Sequence, residues 1–239
     1  MSGSSLSLDE VLDWLRASAL GPKLVLRGSL LSEQWLPGRK ANDVDVLVDG
    51  EWNPATLTPV VRELFAPMRD VACVVTTIWA ETEFPGVRAS LGRGGVAVQV
   101  DFGWGEQLAA EPVPLVVRGH SWRTVVPEVM FGWKTHSLVE HGPRGKWHAK
   151  TVADLALFHR HVKLDPALAK EAIVRSFATQ RLSLSLLDAL FDDPTWGMSR
   201  GSRGKWKSYR KKAPWVTFTL EEALTDVRAA LGPLLRPGR

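Results

Sequence analysis

Two short motifs near the start of the chain carry residues that could perform phosphoryl-transfer chemistry. Gly28 and Ser29 form a small pair, and thirteen residues separate Ser29 from an Asp-x-Asp sequence at Asp43 and Asp45. Valine and leucine follow the two acids in the alternation of a β-strand, so both carboxylates should lie on one face. A third acid, Asp101, ends a second alternating, valine-rich run. Neighbouring strands would bring the three carboxylates together.

Three converging carboxylates are suited to Mg²⁺ (or Mn²⁺), which such sites bind through a few carboxylates plus the phosphates of a substrate. An uncompensated carboxylate in an apolar strand is costly, so the positions of Asp45 and Asp101 indicate a function. We therefore expect metal ligands at Asp43, Asp45 and Asp101. Gly28 and Ser29 would let backbone amides approach the β- and γ-phosphates. The alternative is a common turn dipeptide followed by a polar loop.

This arrangement resembles the nucleotidyltransferase superfamily of DNA polymerase β, in which a Gly-Gly or Gly-Ser turn precedes two spaced acids and a third acid follows on a later strand. The spacing is at the upper end of the family's range, and Arg27 stands where a hydrophobic residue is usual. The resemblance implies an NTP substrate and a magnesium cofactor. Asp43 and Asp45 would hold the metal, and Asp101 would orient or deprotonate an attacking hydroxyl.

The chain is also similar to the AbiEii/AbiGii toxin family, over roughly residues 20–160 and more faintly through Trp206. The positions that carry this similarity are, in order, Arg39, Asp43, Asp45, Glu128, Lys134, Glu140, Arg144, Lys150 and Asp154. The chain departs from the family at Ala41, where serine or threonine is usual, and at Thr151, which replaces the first acid of the last motif. The resemblance implies the toxin of a bacterial toxin–antitoxin or phage-defence pair, with a cognate antitoxin and an RNA acceptor, most simply the 3′ end of tRNA.

The same resemblance assigns roles to three further residues. Lys134 would contact the triphosphate, as a compact charge suited to phosphate oxygens, and Arg39 could reach the same phosphates. The alternatives are a helix-surface lysine and a solvated loop arginine. Asp154 would act in the catalytic site, but Thr151-x-x-Asp154 also matches a capping box that opens a helix. These alternatives stay open on the sequence.

A cationic segment near the C-terminal end predicts contact with nucleic acid. Basic and aromatic residues are interleaved there, a mixture that grips a phosphate backbone and stacks on bases. A solvated surface loop, with its tryptophan packed on the body, is the alternative. The predicted RNA-binding residues are Arg200, Arg203, Lys205, Trp206, Lys207, Arg210, Lys211 and Lys212.

Composition narrows the class of protein. The chain has 239 residues, of which 45% are hydrophobic, a net charge of +4 and one cysteine, Cys73. That length allows one large domain or two small ones, and one cysteine cannot form a disulfide framework. No apolar stretch approaches the roughly 20 residues that span a membrane, and the N-terminus lacks signal-peptide features. We expect a cytoplasmic protein with no membrane partner.

Hydrophobic periodicity predicts strands and helices in the first half and helices alone in the second. A Ser7-x-x-Glu10 capping box should open the first helix, which extends to about Ala19. The predicted strands are Lys23–Arg27, Asp43–Val48, Val71–Ala80, Gly86–Leu91, Gly95–Phe102, Leu115–Val117 and Trp122–Val125. The predicted further helices are Leu30–Trp35, Pro54–Ala66, Glu128–Glu140, Val152–His161, Pro166–Phe177, Ser183–Phe191 and Leu220–Leu231.

These patterns predict an α+β fold: a nucleotidyltransferase-type mixed sheet with flanking helices over residues 1–126, then a helical lobe over 127–239. The preferred function is a magnesium-dependent nucleotidyltransferase that transfers a nucleoside monophosphate from an NTP to RNA. One alternative is a small-molecule nucleotidyltransferase of the aminoglycoside-modifying kind, which would need an acidic pocket. Another is a catalytically inactive protein of the same fold that binds RNA or a partner.

Overall fold

The computed structural model describes residues 5–81, 85–141 and 147–236. Its strands are β1 (Leu24–Arg27), β2 (Asp43–Val48), β3 (Ala72–Ile78), β4 (Gly86–Arg93), β5 (Val96–Gly103), β6 (Val113–Val117) and β7 (His120–Thr124). Its α-helices are α1 (Leu8–Ala17), α2 (Ser29–Trp35), α3 (Pro54–Phe65), α4 (Pro127–His136), α5 (Ala149–His161), α6 (Pro166–Thr179), α7 (Asp188–Asp192), α8 (Arg200–Lys212) and α9 (Leu220–Leu235). The α+β class and its helical second half are confirmed. None of the helices within these ranges is long and apolar enough to cross a membrane.

The chain divides into two compact units. The first consists of Met1–Gln34, Lys40–Glu106 and Pro112–Val125, and the second of Trp35–Arg39, Gln107–Glu111 and Val126–Arg239. Two short segments of the N-terminal half therefore belong to the second unit. The predicted single boundary near residue 126 does not account for these two segments.

The first unit is built on a seven-stranded mixed sheet with the order β3-β4-β5-β2-β1-β7-β6. β2 runs parallel to β5 and β1 parallel to β7, while the other neighbours are antiparallel. One face is apolar: Val46 on β2 pairs with Phe102 on β5, and both are fully buried. Phe65 of α3 packs edge-on against Phe102, with 6.4 Å between ring centroids. The core under α3 thus leaves the acids of β2 on the opposite face.

The start of α1 confirms half of the predicted capping box. The Ser7 hydroxyl accepts a hydrogen bond from the Glu10 backbone amide at 3.1 Å. The Glu10 carboxylate, however, forms a bidentate ion pair with Arg93, with one contact of 2.9 Å. A strand arginine has replaced the backbone amide as its partner, so the cap is a single hydrogen bond.

The second unit is an all-helical assembly around α5. Phe158 of α5 packs edge-on against Phe131 of α4, with ring centroids 5.9 Å apart. α4 also lies close against α6, because a Cβ added at Gly132 would be 2.6 Å from the Ala172 carbonyl oxygen. These contacts bury the central residues of α5, including one acid, Asp154.

Apart from shifts at the ends of elements, the observed secondary structure differs from the predicted one at three places. Residues 183–191 divide into a 3₁₀ turn at Leu184–Leu187 followed by α7. Gly92 lies within β4, because the turn between β4 and β5 consists of Gly94 and Gly95, both with positive φ, as a two-residue hairpin turn requires. The cationic segment forms α8, a helix that the apolar periodicity does not predict.

Candidate active site

Four charged residues lie side by side across four neighbouring strands of the first unit. In the strand register, Arg88 on β4 is opposite Asp101 on β5, Asp101 is opposite Asp45 on β2, and Asp45 is opposite Arg27 on β1. Residues directly opposite one another point to the same face of a sheet. Asp43 lies two positions from Asp45 and therefore shares this face. The structure brings the three predicted acids onto one face, between two arginines.

Arg88 neutralises the third acid of this row. Its Nε and Nη2 atoms donate hydrogen bonds to the two carboxylate oxygens of Asp101, each at 2.7 Å. The hydrogen-bonded Asp101 raises the pKa of Arg88, burial opposes the rise, and the charges of Asp101, Asp45 and Asp43 add to it. All three carboxylates therefore stabilise the charged form of the Arg88 guanidinium. Asp101 is buried, and a bidentate arginine is the pairing that makes such a buried charge tolerable.

The Gly-Ser pair contacts the two acids of β2. Gly28 has φ of +72°, and a Cβ added there would lie 1.9 Å from the Oδ2 atom of Asp45. Only glycine combines this left-handed conformation with such a close approach. The Ser29 hydroxyl donates a hydrogen bond to the Oδ1 atom of the Asp43 carboxylate. The same hydroxyl lies 3.2 Å from the backbone oxygen of Asp43. The turn thus positions both carboxylates.

This geometry predicts a stability effect at Gly28. Gly28→Ala should cost the left-handed strain of about 1–2 kcal/mol and an overpacking penalty of about 1–3 kcal/mol against Asp45. Gly119→Ala is a matched control, because Gly119 has φ of +83° with open space around its Cβ position. Chemical unfolding of both variants measures the difference. Equal losses would show that the Asp45 carboxylate moves aside freely.

The described residues contain no group of three or more histidine, cysteine or acidic side chains close enough together to hold a metal ion. Asp43 and Asp45 nevertheless share a half-exposed face, and carboxylate oxygens are the ligands that Mg²⁺ prefers. Asp101 lies in register beside Asp45, but both of its oxygens are bound by Arg88. Asp43 and Asp45 therefore fit the ion in residue type and strand position. Asp101 could bind it only if its carboxylate were released from Arg88.

A second charged cluster lies inside the second unit. Asp154 is fully buried on α5 and forms ion pairs with Lys134 at 2.7 Å and with Arg39 at 2.9 Å. α5 begins at Ala149 with His148 at its N-cap position, so Asp154 occupies the interior of the helix. The capping-box interpretation of Thr151 and Asp154 is therefore wrong. Lys134 and Arg39 are not solvated, since the side chain of Lys134 is 14% exposed and that of Arg39 6%.

This cluster has more cations than acids and some unsatisfied polar atoms. The Nη2 atom of Arg39 and the hydroxyl of Tyr209 are buried without a hydrogen-bond partner among the described residues. Burial raises the pKa of Tyr209, the Asp154 charge adds to the rise, and Arg39 opposes it. Tyr209 on α8 therefore lies in the electrostatic field of the Arg39–Asp154–Lys134 cluster. The sequence motifs do not connect this tyrosine with the cluster.

The cationic segment is a helix with one buried aromatic side. The seven predicted cations of α8 are all exposed. Trp206 is buried, and its ring packs against those of Phe218 at 6.0 Å and Tyr209 at 6.2 Å. The predicted base-stacking role of Trp206 is corrected: its ring anchors the helix to its own unit. The RNA contacts of the cations stay predictions.

Arg88 is the residue of this site that the sequence motifs do not indicate. A signal existed, because the two-residue turn at Gly94 and Gly95 sets the register of β4 against β5. Counting outward from that turn places Arg88 opposite Asp101. Arg144, which belongs to the second resemblance, lies outside the described residues.

Comparison with known proteins yields structural neighbours only. No protein-family model matches the chain, and no curated protein sequence matches it. A crystal structure of JHP933 from Helicobacter pylori superposes with a TM-score of 0.46 and 13% identity, covering 94% of this chain and 87% of that chain. A second H. pylori protein, described as a proposed nucleotidyltransferase, superposes with a TM-score of 0.46 and 12% identity, covering 96% of each chain.

Proposed function

We propose that this protein is a nucleotidyltransferase that transfers a nucleoside monophosphate from an NTP to an acceptor hydroxyl. The observation that carries the proposal is the joint placement of Gly28, Ser29, Asp43, Asp45 and Asp101. The glycine turn lies against Asp45, the serine hydroxyl holds Asp43, and Asp101 is in register beside Asp45. A glycine turn against paired carboxylates suits a nucleotide triphosphate bound with a divalent cation.

The proposed reaction forms a bond between the acceptor oxygen and the α-phosphorus and breaks the α–β phosphoanhydride bond, releasing pyrophosphate. Asp43 and Asp45 would hold Mg²⁺ or Mn²⁺, which neutralises phosphate charge when bound. Asp101 would accept the hydroxyl proton once it is released from Arg88. The contacts of Lys134 and Arg39 with the triphosphate, and a direct catalytic role of Asp154, stay predictions.

We further propose RNA as the acceptor, and a role as the toxin of a bacterial toxin–antitoxin or phage-defence system. The exposed cations of α8 support this choice, because a polyanion gains affinity from each cation that replaces a counterion. The observed cationic surface does not favour an aminoglycoside-like acceptor, which is itself cationic. The tRNA 3′ end and the cognate antitoxin rest on the family resemblance.

The direct test uses NTPs labelled at the α-phosphate. The protein is incubated with total RNA, Mg²⁺ and each NTP in turn, and label should appear in an RNA band with at least one of them. Expression in a bacterial host should also slow growth, and Asp45→Asn should relieve that effect. Absence of label from every RNA band, with all four NTPs, would contradict the proposed acceptor.

A further inference from the structure

A cavity in the second unit lies between α8, the beginning of α9 and the segment that joins them. Its volume is about 650 Å³, within the range of small-molecule sites. Arg203, Lys207, Arg210 and Lys211 line it, with Glu221 as the acid. A space of this size with four cations and one acid favours an anionic ligand larger than a simple ion.

Two of the four cations already have structural partners. Arg203 forms an ion pair with Glu221. Arg210 donates from Nε to the Val216 carbonyl oxygen at 3.1 Å and from Nη2 to that of Thr217 at 3.3 Å, and so fixes the wall of the cavity. These contacts hold the cavity in shape.

The other two cations are available to a ligand. Lys207 and Lys211 are exposed, and neither has an ion-pair partner within the described ranges. They are four residues apart on a helix, so they lie on the same face and can bind one anionic group together. The cavity therefore offers two uncompensated charges at one wall.

The remaining lining is suited to a flat, partly apolar group. Pro214 contributes exposed apolar surface beside the largely buried Val216 and Leu220, and Thr217 and Thr219 add hydroxyl groups. A phosphate alone would use only the lysines, and an apolar ligand would leave them unpaired. A nucleoside phosphate combines an anionic group, hydroxyls and an aromatic base.

We propose that this cavity binds a single nucleotide, with its phosphate on Lys207 and Lys211 and its base against the apolar wall. The nucleotide is either free or an unpaired residue of RNA, and the RNA case rests on the proposed function. It would give α8 a defined RNA contact in addition to general charge attraction.

The test measures binding of AMP, adenosine and inorganic phosphate by calorimetry, and of single-stranded oligoadenylate by fluorescence anisotropy. All are measured without divalent metal in the Asp45→Asn protein, so that the result is independent of transfer activity. Thr217→Trp fills the cavity from an exposed position and keeps every cation. Lys207→Ala with Lys211→Ala removes the two available charges, and Lys205→Ala with Lys212→Ala removes the same charge elsewhere on α8.

AMP should bind more tightly than adenosine or phosphate. Its affinity should fall about tenfold or more with Thr217→Trp and with the Lys207/Lys211 variant, and less than about twofold with the Lys205/Lys212 control. If RNA supplies the nucleotide, Thr217→Trp should weaken oligoadenylate binding. The slope of log affinity against log salt concentration should stay the same, because no cation is removed. The Lys207/Lys211 variant should reduce that slope by about 0.7 per lost phosphate contact.

The outcomes separate the two sources. Loss of AMP binding with unchanged oligoadenylate binding in Thr217→Trp would assign the cavity to a free nucleotide. Unchanged affinity for both ligands in Thr217→Trp would overturn the proposal, as would equal losses of AMP binding in the two lysine variants. Tighter binding of an oligoglutamate peptide than of AMP would also overturn it and would indicate an acidic protein partner.

Discussion

Asp45→Asn should reduce nucleotide transfer by about a thousandfold or more and leave the fold intact. Asp45 is the acid against which Gly28 is placed, and it lies in register with Asp101. Loss of a metal-binding carboxylate removes several kcal/mol of transition-state stabilisation, and each 1.36 kcal/mol is tenfold in rate. Steady-state transfer of α-labelled nucleotide measures the effect.

Thermal unfolding provides a second readout for the same variant. Without metal, the melting temperature of Asp45→Asn should equal or exceed that of the wild type, because the repulsion between Asp45 and Asp43, which lie on one face of β2, is removed. Added Mg²⁺ should raise the melting temperature of the wild type, as a ligand of the native state does, but not that of the variant. Asp49→Asn is a matched control, since Asp49 is an exposed partner of Arg123. Full transfer activity in Asp45→Asn would exclude a metal role for this residue.

Asp154→Ala should destabilise the protein by about 3–5 kcal/mol, because it leaves two largely buried cations without their acid. Loss of a helix cap would cost only about 1 kcal/mol. The control is Asp226→Ala, which removes the partly exposed partner of Arg160 and should cost about 1 kcal/mol or less. Chemical unfolding measures both variants.

A double-mutant cycle tests whether Asp154 and Lys134 act as a pair. Lys134→Met with Asp154→Ala should be less destabilised than the sum of the single variants by about 1–3 kcal/mol. Additive losses, or a cost for Asp154→Ala no greater than that for Asp226→Ala, would contradict the buried-pair interpretation. Turnover measured on the same variants separates positioning from stability. A tenfold loss of turnover under conditions in which all the protein is folded would show that the pair contributes to turnover as well as to stability.

Local patterns were sufficient for much of the first unit. β2 has the predicted bounds, Asp43–Val48, because alternation along a strand requires only neighbouring residues. The same alternation placed Asp43 and Asp45 on one face. The hairpin turn at Gly94 and Gly95 also carries the register that sets Arg88 opposite Asp101, although the predicted strand that began at Gly95 did not identify this turn. These features depend on short-range geometry, and the sequence therefore determines them.

α8 shows where local patterns were insufficient. α8 has too few apolar residues to form a helical apolar stripe. The helix is anchored by Trp206, whose ring packs against Phe218 in the segment that follows α8. That contact buries an aromatic ring that the sequence alone would leave available for stacking. Composition predicted the charge of the segment but not the direction in which its aromatic rings point.

The sequence by itself determined the α+β class, the acids of the sheet and the glycine turn that precedes them. Only the tertiary structure decided the state of Asp154, because its partners Arg39 and Lys134 are remote in the chain. Lys134 meets it when α4 packs on α5, and Arg39 comes from the segment Trp35–Arg39. The same holds for the cavity beside α8, whose wall depends on Arg210 binding the carbonyl groups of the following loop. Strand periodicity is a property of adjacent residues, whereas the burial and pairing of a charge depend on which distant segments pack around it.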